Sequence, residues 1–265
     1  MFLHSRFHFP IPVLTYHRVL PCAAPLAIAD DEFERQLMWL RANKFVSLSG
    51  AEFEHALCGD LDARRKVLIT FDDGYLDNWY IATPLLKKYG FKALVFVITE
   101  KIQDQQSRSI GKWDEIGDKA FLSWQEIDAM VESGVFEVHS HTHTHTKFWR
   151  NQISAFDTSQ SICRDVATSL QILRNRYKHD IQLAWPWGYF RKEWLSEIGN
   201  MGVKICHTMR PGTNFPGCDL RMIRRLNEDA LSLKKQRRFS AAALPLIGLG
   251  LNAASNILGT LRSRP

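Results

Sequence analysis

Apolar positions along this chain follow two rhythms, and their alternation predicts the elements. Ile11-Pro12-Val13-Leu14-Thr15-Tyr16, Val67-Leu68-Ile69-Thr70-Phe71 and Ala93-Leu94-Val95-Phe96-Val97-Ile98 are short, nearly continuous apolar runs. Runs of that length suit strands buried on both faces, as in parallel sheets. Val46-Ser47-Leu48, Phe136-Glu137-Val138 leading into His139, and residues 181–185 read as further strands. Between them lie segments with helical spacing. Residues 31–43 place Phe33, Leu37 and Leu40 on one face, a second helix fits residues 50–57, and a third spans 78–89 and stops at Gly90. Ser123-Trp124-Gln125-Glu126 has the form of a capping box, opening a helix that ends near Gly134. A long helix covers about residues 158–177, and residues 101–120 are polar, contain two glycines and read as a loop over the active face.

Strand and helix alternate throughout, which implies a parallel sheet or barrel with right-handed crossovers. About seven strands fit into residues 10–228, so residues 1–230 are expected to form one unit, with 231–265 as a tail.

Charge sharpens that division. The net charge is +6, and no acid follows Asp229, whereas Lys234, Lys235, Arg237, Arg238, Arg262 and Arg264 all do. The excess therefore belongs to the tail and gives no reason to expect a nucleic-acid partner for the body. From Phe239 to Leu261 the tail carries no charge, although Ser240, Pro245, Asn252, Ser255, Asn256 and three glycines dilute its apolar residues. This composition suits peripheral contact with an anionic membrane surface better than a full span. The alternative is a helix folded onto the body. Five cysteines without CxxC spacing argue against a disulfide framework. The opening Met1-Phe2-Leu3-His4-Ser5-Arg6 lacks the apolar run of a secretory signal, so cytoplasmic residence, peripheral at the inner membrane, is the expectation.

The chemistry concentrates in two places. Thr70-Phe71-Asp72-Asp73-Gly74-Tyr75 puts adjacent carboxylates at the carboxyl end of a strand, where α/β folds build active sites. Like charges so close call for a cation or a proton. About 70 residues later comes Glu137-Val138-His139-Ser140-His141-Thr142-His143-Thr144-His145. One helical turn between His141 and His145 would aim both imidazoles at a common point. Two imidazoles and a carboxylate make an open three-ligand metal site. Alternating histidines on a polar strand are the plainer alternative.

These two segments, with Ala184-Trp185-Pro186-Trp187-Gly188, resemble the first three motifs of the polysaccharide deacetylases (carbohydrate esterase family 4) in order and spacing. The resemblance covers about residues 10–228. It implies a distorted (β/α) barrel and metal-dependent removal of acetyl groups from glycans. Carried over position by position, Asp73, His141 and His145 would bind a divalent metal, with Zn2+ expected and Ni2+ or Co2+ as alternatives. Asp72 would be the general base, and the backbone N–H of Trp187 would face the oxyanion. Tyr75, Trp185, Trp187 and Tyr189 are candidates for contact with sugar rings, with Trp185 equally suited to the core. His139, His143 and His207 are taken as structural.

Two departures from the family pattern matter. The family's general acid is usually a late Leu-x-His histidine, which is missing here. Leu14-Thr15-Tyr16-His17 offers His17 at the other end of the chain, resembling the branch that includes bacterial poly-N-acetylglucosamine deacetylases. The arginine usually found two residues before the motif's proline is replaced by Ala184. In Leu220-Arg221-Met222-Ile223-Arg224-Arg225-Leu226, Arg225 is the choice over Arg224 to replace it. The expected function is N-deacetylation of a hexosamine in a lipid-linked glycan, such as a lipopolysaccharide-core precursor. The alternatives are a deacetylase of exported poly-N-acetylglucosamine and a catalytically silent glycan-binding barrel.

Overall fold

The structure is a computed structural model that describes residues 9–102, 120–148 and 155–232. Ten strands appear among these residues. Seven of them close into a ring: β1 (Val13–Tyr16), β5 (Lys66–Asp73), β6 (Ala93–Val97), β7 (Phe136–Ser140), β8 (Leu183–Ala184), β9 (Cys206–Pro211) and β10 (Ile223–Asn227). Every pairing in the ring is parallel, and β1 closes it by lying between β5 and β10. β4 (Val46–Ser47) pairs with the start of β5, and β2 (Arg18–Leu20) pairs with β3 (Ala27–Ala29) in a separate ribbon. This is the distorted barrel that the motif resemblance implied.

Side chains alternate across each strand, which gives two cores. Val67, Ile69 and Phe71 of β5 join Leu14, Tyr16, Val95 and Val138 in a cluster with the helices. That cluster takes in Phe33, Leu37 and Leu40 of α1 (Asp30–Ala42), the face read from the sequence. Val13, Leu68, Leu94, Phe96, Ala184 and Ile205 form the other cluster with Phe53, Ala56 and Leu57 of α2 (Gly50–Cys58). All the Val67–Phe71 positions are fully buried, as expected for a strand covered on both faces.

Local chemistry sets the helix ends. Ser49 with Glu52 and Ser123 with Glu126 make complete capping boxes, opening α2 and a later helix, Trp124–Glu132. The helix expected over 78–89 is two pieces: a π-helical turn, Asn78–Ala82, followed by α3 (Thr83–Tyr89). Pro84 explains the break, because its ring excludes it from a helix interior and suits it to the first turn of a new one. Counting α4 as Trp124–Glu132, the long helix α5 runs Ala155–Arg176 and α6 runs Lys192–Asn200. The strand expected over 181–185 is only Leu183–Ala184, since Pro186 begins a 3₁₀ turn. Residues 103–119, most of the expected loop, and residues 233–265, nearly all of the tail, lie outside the described residues. No helix among the described residues is long and apolar enough to cross a membrane.

Candidate active site

Asp72 follows Leu68 and Thr70 on the ring-facing side of β5. It is almost fully buried, a costly place for a carboxylate without a partner. Arg225, fully buried on β10, supplies that partner. Its Nη1 and Nη2 donate to Asp72 Oδ1 and Oδ2, each at 2.8 Å. The Arg225 Nε donates to the Thr208 carbonyl at 2.8 Å, which fixes the guanidinium plane. Burial pushes the Asp72 carboxyl up. The Arg225 charge, with His141 and His17, overcomes this and holds it well below the usual carboxylate range. The arginine missing at Ala184 is thus present in space from another strand. Arg224 faces away, donating to the Pro211 carbonyl at 3.0 Å.

Asp73 diverges from its neighbour. Its φ of 74° and that of Gly74, 80°, carry the chain out of the strand conformation. Gly74 fits this turn because left-handed backbone costs it little, and an added Cβ would lie 3.0 Å from Val97 Cγ1. Asp73 Oδ1 then lies 3.4 Å from His141 Nε2 and 3.5 Å from His145 Nε2.

The histidines do not converge through a helical turn, which corrects the expectation from their spacing. The segment is an irregular loop with Thr142 at φ 66° and His145 at φ 57°. Side chains hold it: His145 N–H donates to Thr142 Oγ1, and the N–H groups of His143 and Thr144 donate to the two carboxylate oxygens of Asp165. His141 Nδ1 is 2.8 Å from the Ala184 carbonyl, which can only accept. In its neutral form the ring therefore carries the proton on Nδ1 and presents a lone pair at Nε2. Burial, with the His141 charge adding to it, pulls His145 down to about 3, so the His145 ring is neutral near pH 7.

One ligand atom from each of Asp73, His141 and His145 lies within 4.8 Å of the other two. Among the described residues Asp73 Oδ1 is buried without a hydrogen-bond partner, and burial pushes its carboxyl up. An orphaned carboxylate oxygen facing two imidazole lone pairs fits a divalent ion that takes mixed N and O ligands.

His17 sits just past β1, half-buried. Its charge acts on Asp72, Asp73 and His145, so the structure brings it to the same site. Trp187 is 44% exposed and lies over His145 with ring centroids 4.0 Å apart. Its φ is 55°, and at the next residue, Gly188, a Cβ would fall 2.4 Å from the Met209 backbone nitrogen. Tyr75 stacks on Phe121 at 4.9 Å, with the Arg18 guanidinium 4.7 Å from its ring. Trp185 requires a correction. It is fully buried, packs against Phe190 and Trp194, and offers a sugar no surface. Tyr189 is half-buried and meets Trp194 edge-on. His139 and His207 are buried and bonded to Gln182, and His143 pairs with Thr99.

Sequence reasoning missed Asp165, Arg18, Asp77 and Asn78. Asp165 is one polar position on a long helix, and no spacing ties it to the histidine loop. Asp77 and Asn78 read as the opening of an ordinary helix.

The sequence profile of the polysaccharide deacetylase family matches residues 61–206. The chain belongs to the polysaccharide deacetylase family. The matched stretch includes Asp72, Asp73, His141, His145 and Trp187 but leaves out His17 and Arg225. A Bacillus subtilis protein, YxkH, whose name places it in the same family, is 31% identical over 204 residues, 76% of this chain. A poly-beta-1,6-N-acetyl-D-glucosamine N-deacetylase of Staphylococcus epidermidis is 29% identical over 196 residues, 73% of this chain. In both cases the match spans 65% of the relative's own length. Among solved structures, IcaB from Ammonifex degensii superposes with a TM-score of 0.74 at 28% identity, covering 89% of this chain and 97% of that one. The Streptococcus pyogenes deacetylase PplD shares the fold, with a TM-score of 0.72 at 24% identity over 87% of this chain and 98% of that chain.

Proposed function

We propose that this protein is a metal-dependent N-deacetylase that hydrolyses the acetamide of an N-acetylhexosamine within a glycan. The observation that carries the reading is a split carboxylate pair: Asp72 is locked to Arg225, while Asp73 faces His141 and His145.

Asp73, His141 and His145 would hold the ion, expected to be Zn2+. When bound, a divalent ion supplies Lewis acidity that lowers the pKa of water and polarises the acetyl carbonyl. Asp72, kept ionised by Arg225, takes the proton of the attacking water. The Trp187 backbone N–H is the proposed donor to the oxyanion. His17 gives a proton to the departing nitrogen as the C–N bond breaks, leaving acetate and a free amine. Trp187 and Tyr75 supply the aromatic surfaces beside the acids for sugar rings.

The name of the Staphylococcus epidermidis relative supports an N-acetylglucosamine polymer as one substrate class. A second reading, favoured by the basic and apolar sequence of residues 231–265, is a lipid-linked oligosaccharide at the cytoplasmic face of a membrane, such as a lipopolysaccharide-core precursor. Acetate release from N-acetylglucosamine oligomers and from lipid-linked acetylated glycans separates the two. Zinc-loaded protein that releases no acetate from any acetylated glycan would overturn the enzymatic reading and favour a silent binding barrel.

A further inference from the structure

His141 has the Ala184 carbonyl to orient its ring, but His17 has no such aid at Nδ1. That atom is buried and has no hydrogen-bond partner among the described residues. What holds His17 is the chain around it: two side chains grip the His17 carbonyl, the Arg18 guanidinium and the Val19 N–H. Asn78 Nδ2 donates to the His17 carbonyl at 3.0 Å. Arg18 Nε donates to Asp77 Oδ2 at 2.9 Å, and the Val19 N–H donates to Asp77 Oδ1 at 2.9 Å. A further Asn78 N–H, 3.1 Å from Asp77 Oδ1, locks the two gripping side chains together. Both are fully buried. Buried charge-assisted bonds of this kind tolerate little displacement.

The grip comes from the turn that ends the acid-bearing strand. Asp77 and Asn78 follow Asp73 closely and enter the π-helical turn, with Thr83 Oγ1 donating to the Asn78 carbonyl at 2.8 Å. π-turns are rare and concentrate at functional sites. One short segment, residues 72–78, therefore carries both carboxylates and the anchor for the residue expected to protonate the leaving group.

We infer that Asp77 and Asn78 are positioning residues that register His17 against the Asp72–Asp73 pair. The inference rests on the deacetylase reading above and adds the device that sets the geometry of proton delivery. A misplacement of about 1 Å at a reacting group costs on the order of 100-fold in rate.

A double-mutant cycle tests this on the full chain loaded with zinc, using N-acetylglucosamine oligomers. Asn78→Ala should lower kcat about 10- to 100-fold with little change in KM or zinc affinity. In a His17→Ala background the same change should cost less than about 2-fold, because the group it positions is gone. Hydrolysis of 4-nitrophenyl acetate, whose phenolate leaves without a proton, should be nearly unchanged in Asn78→Ala. An equal loss in both backgrounds, or on both substrates, would overturn the positioning role and leave a purely structural one. Should Asn78→Ala fail to fold, Asp77→Asn carries the same test, since it keeps an oxygen for the Val19 N–H. Wild-type protein that releases no acetate from any acetylated glycan would instead mark failure of the deacetylase reading itself.

Discussion

Arg225 and Asp72, 153 positions apart in the chain, meet through two parallel N–H···O bonds of 2.8 Å in a fully buried contact. Removing one partner leaves an uncompensated charge, which typically costs about 3–5 kcal/mol. Arg225→Ala should therefore lower the urea midpoint substantially. It should also cut deacetylation about 100-fold or more, because the base is neither held nor ionised. A variant with wild-type stability would show that the pair is not the anchor described here.

The same pair sets a pH dependence. The folded protein depresses the Asp72 carboxyl, so its ionised form favours folding above the ordinary carboxylate pKa near 4. That contribution is lost as pH falls toward the depressed folded value. In Arg225→Ala burial is unopposed and raises the carboxyl instead. The stability gap between wild type and variant should thus be widest near neutral pH and narrow as the medium becomes acidic. Urea titrations between pH 7 and pH 3 check this; a constant gap would exclude the ion pair as its source.

Metal binding should register as thermal stabilisation. A ligand at about 100 times its Kd adds about 2.7 kcal/mol to the folded state. Zinc should raise the Tm of the chelator-treated protein and restore its activity, and Asp73→Ala should abolish both effects. Isothermal titration of the two proteins measures the affinity directly. Equal zinc responses would dissociate the ion from Asp73, His141 and His145.

Two tryptophans separated by one residue should behave in opposite ways. Trp185 is fully buried, so Trp185→Ala should cost about 3–5 kcal/mol of stability. Trp187 is 44% exposed beside His145, so Trp187→Ala should leave the Tm nearly unchanged and raise KM for glycan oligomers. Thermal melts with Michaelis kinetics on both variants distinguish the roles.

The apolar run Val67–Phe71 and its two terminal acids were legible because a doubly covered strand and an adjacent acid pair both leave local signatures. The sequence offered Arg224 and Arg225 as neighbours with no signal to separate them; β10 separates them by putting Ile223 and Arg225 on the buried side and Arg224 on the other. The histidine geometry was not legible, because a spacing of four suits a helical turn as well as a loop held by Thr142 and Asp165. Trp185 was ambiguous for a related reason. It stands where a two-residue strand meets Pro186, too short a run for alternation to show which side is buried. Asp77, Asn78 and Asp165 act on segments far away in the sequence, and nothing in their own neighbourhoods reveals it.

The closing of the ring by β1 between β5 and β10 has a bearing on chain order. Around the ring the strands follow chain order, so the first and last ring strands among the described residues, β1 and β10, are side by side. A histidine delivered from the start of the sequence and one delivered from its end can thus reach the same seat next to the acid pair. Transferring β1 to follow β10 would leave every strand with its present neighbours. On the role proposed for His17, its early position needs no redesign of the barrel, because β1 already lies beside the acid-bearing β5.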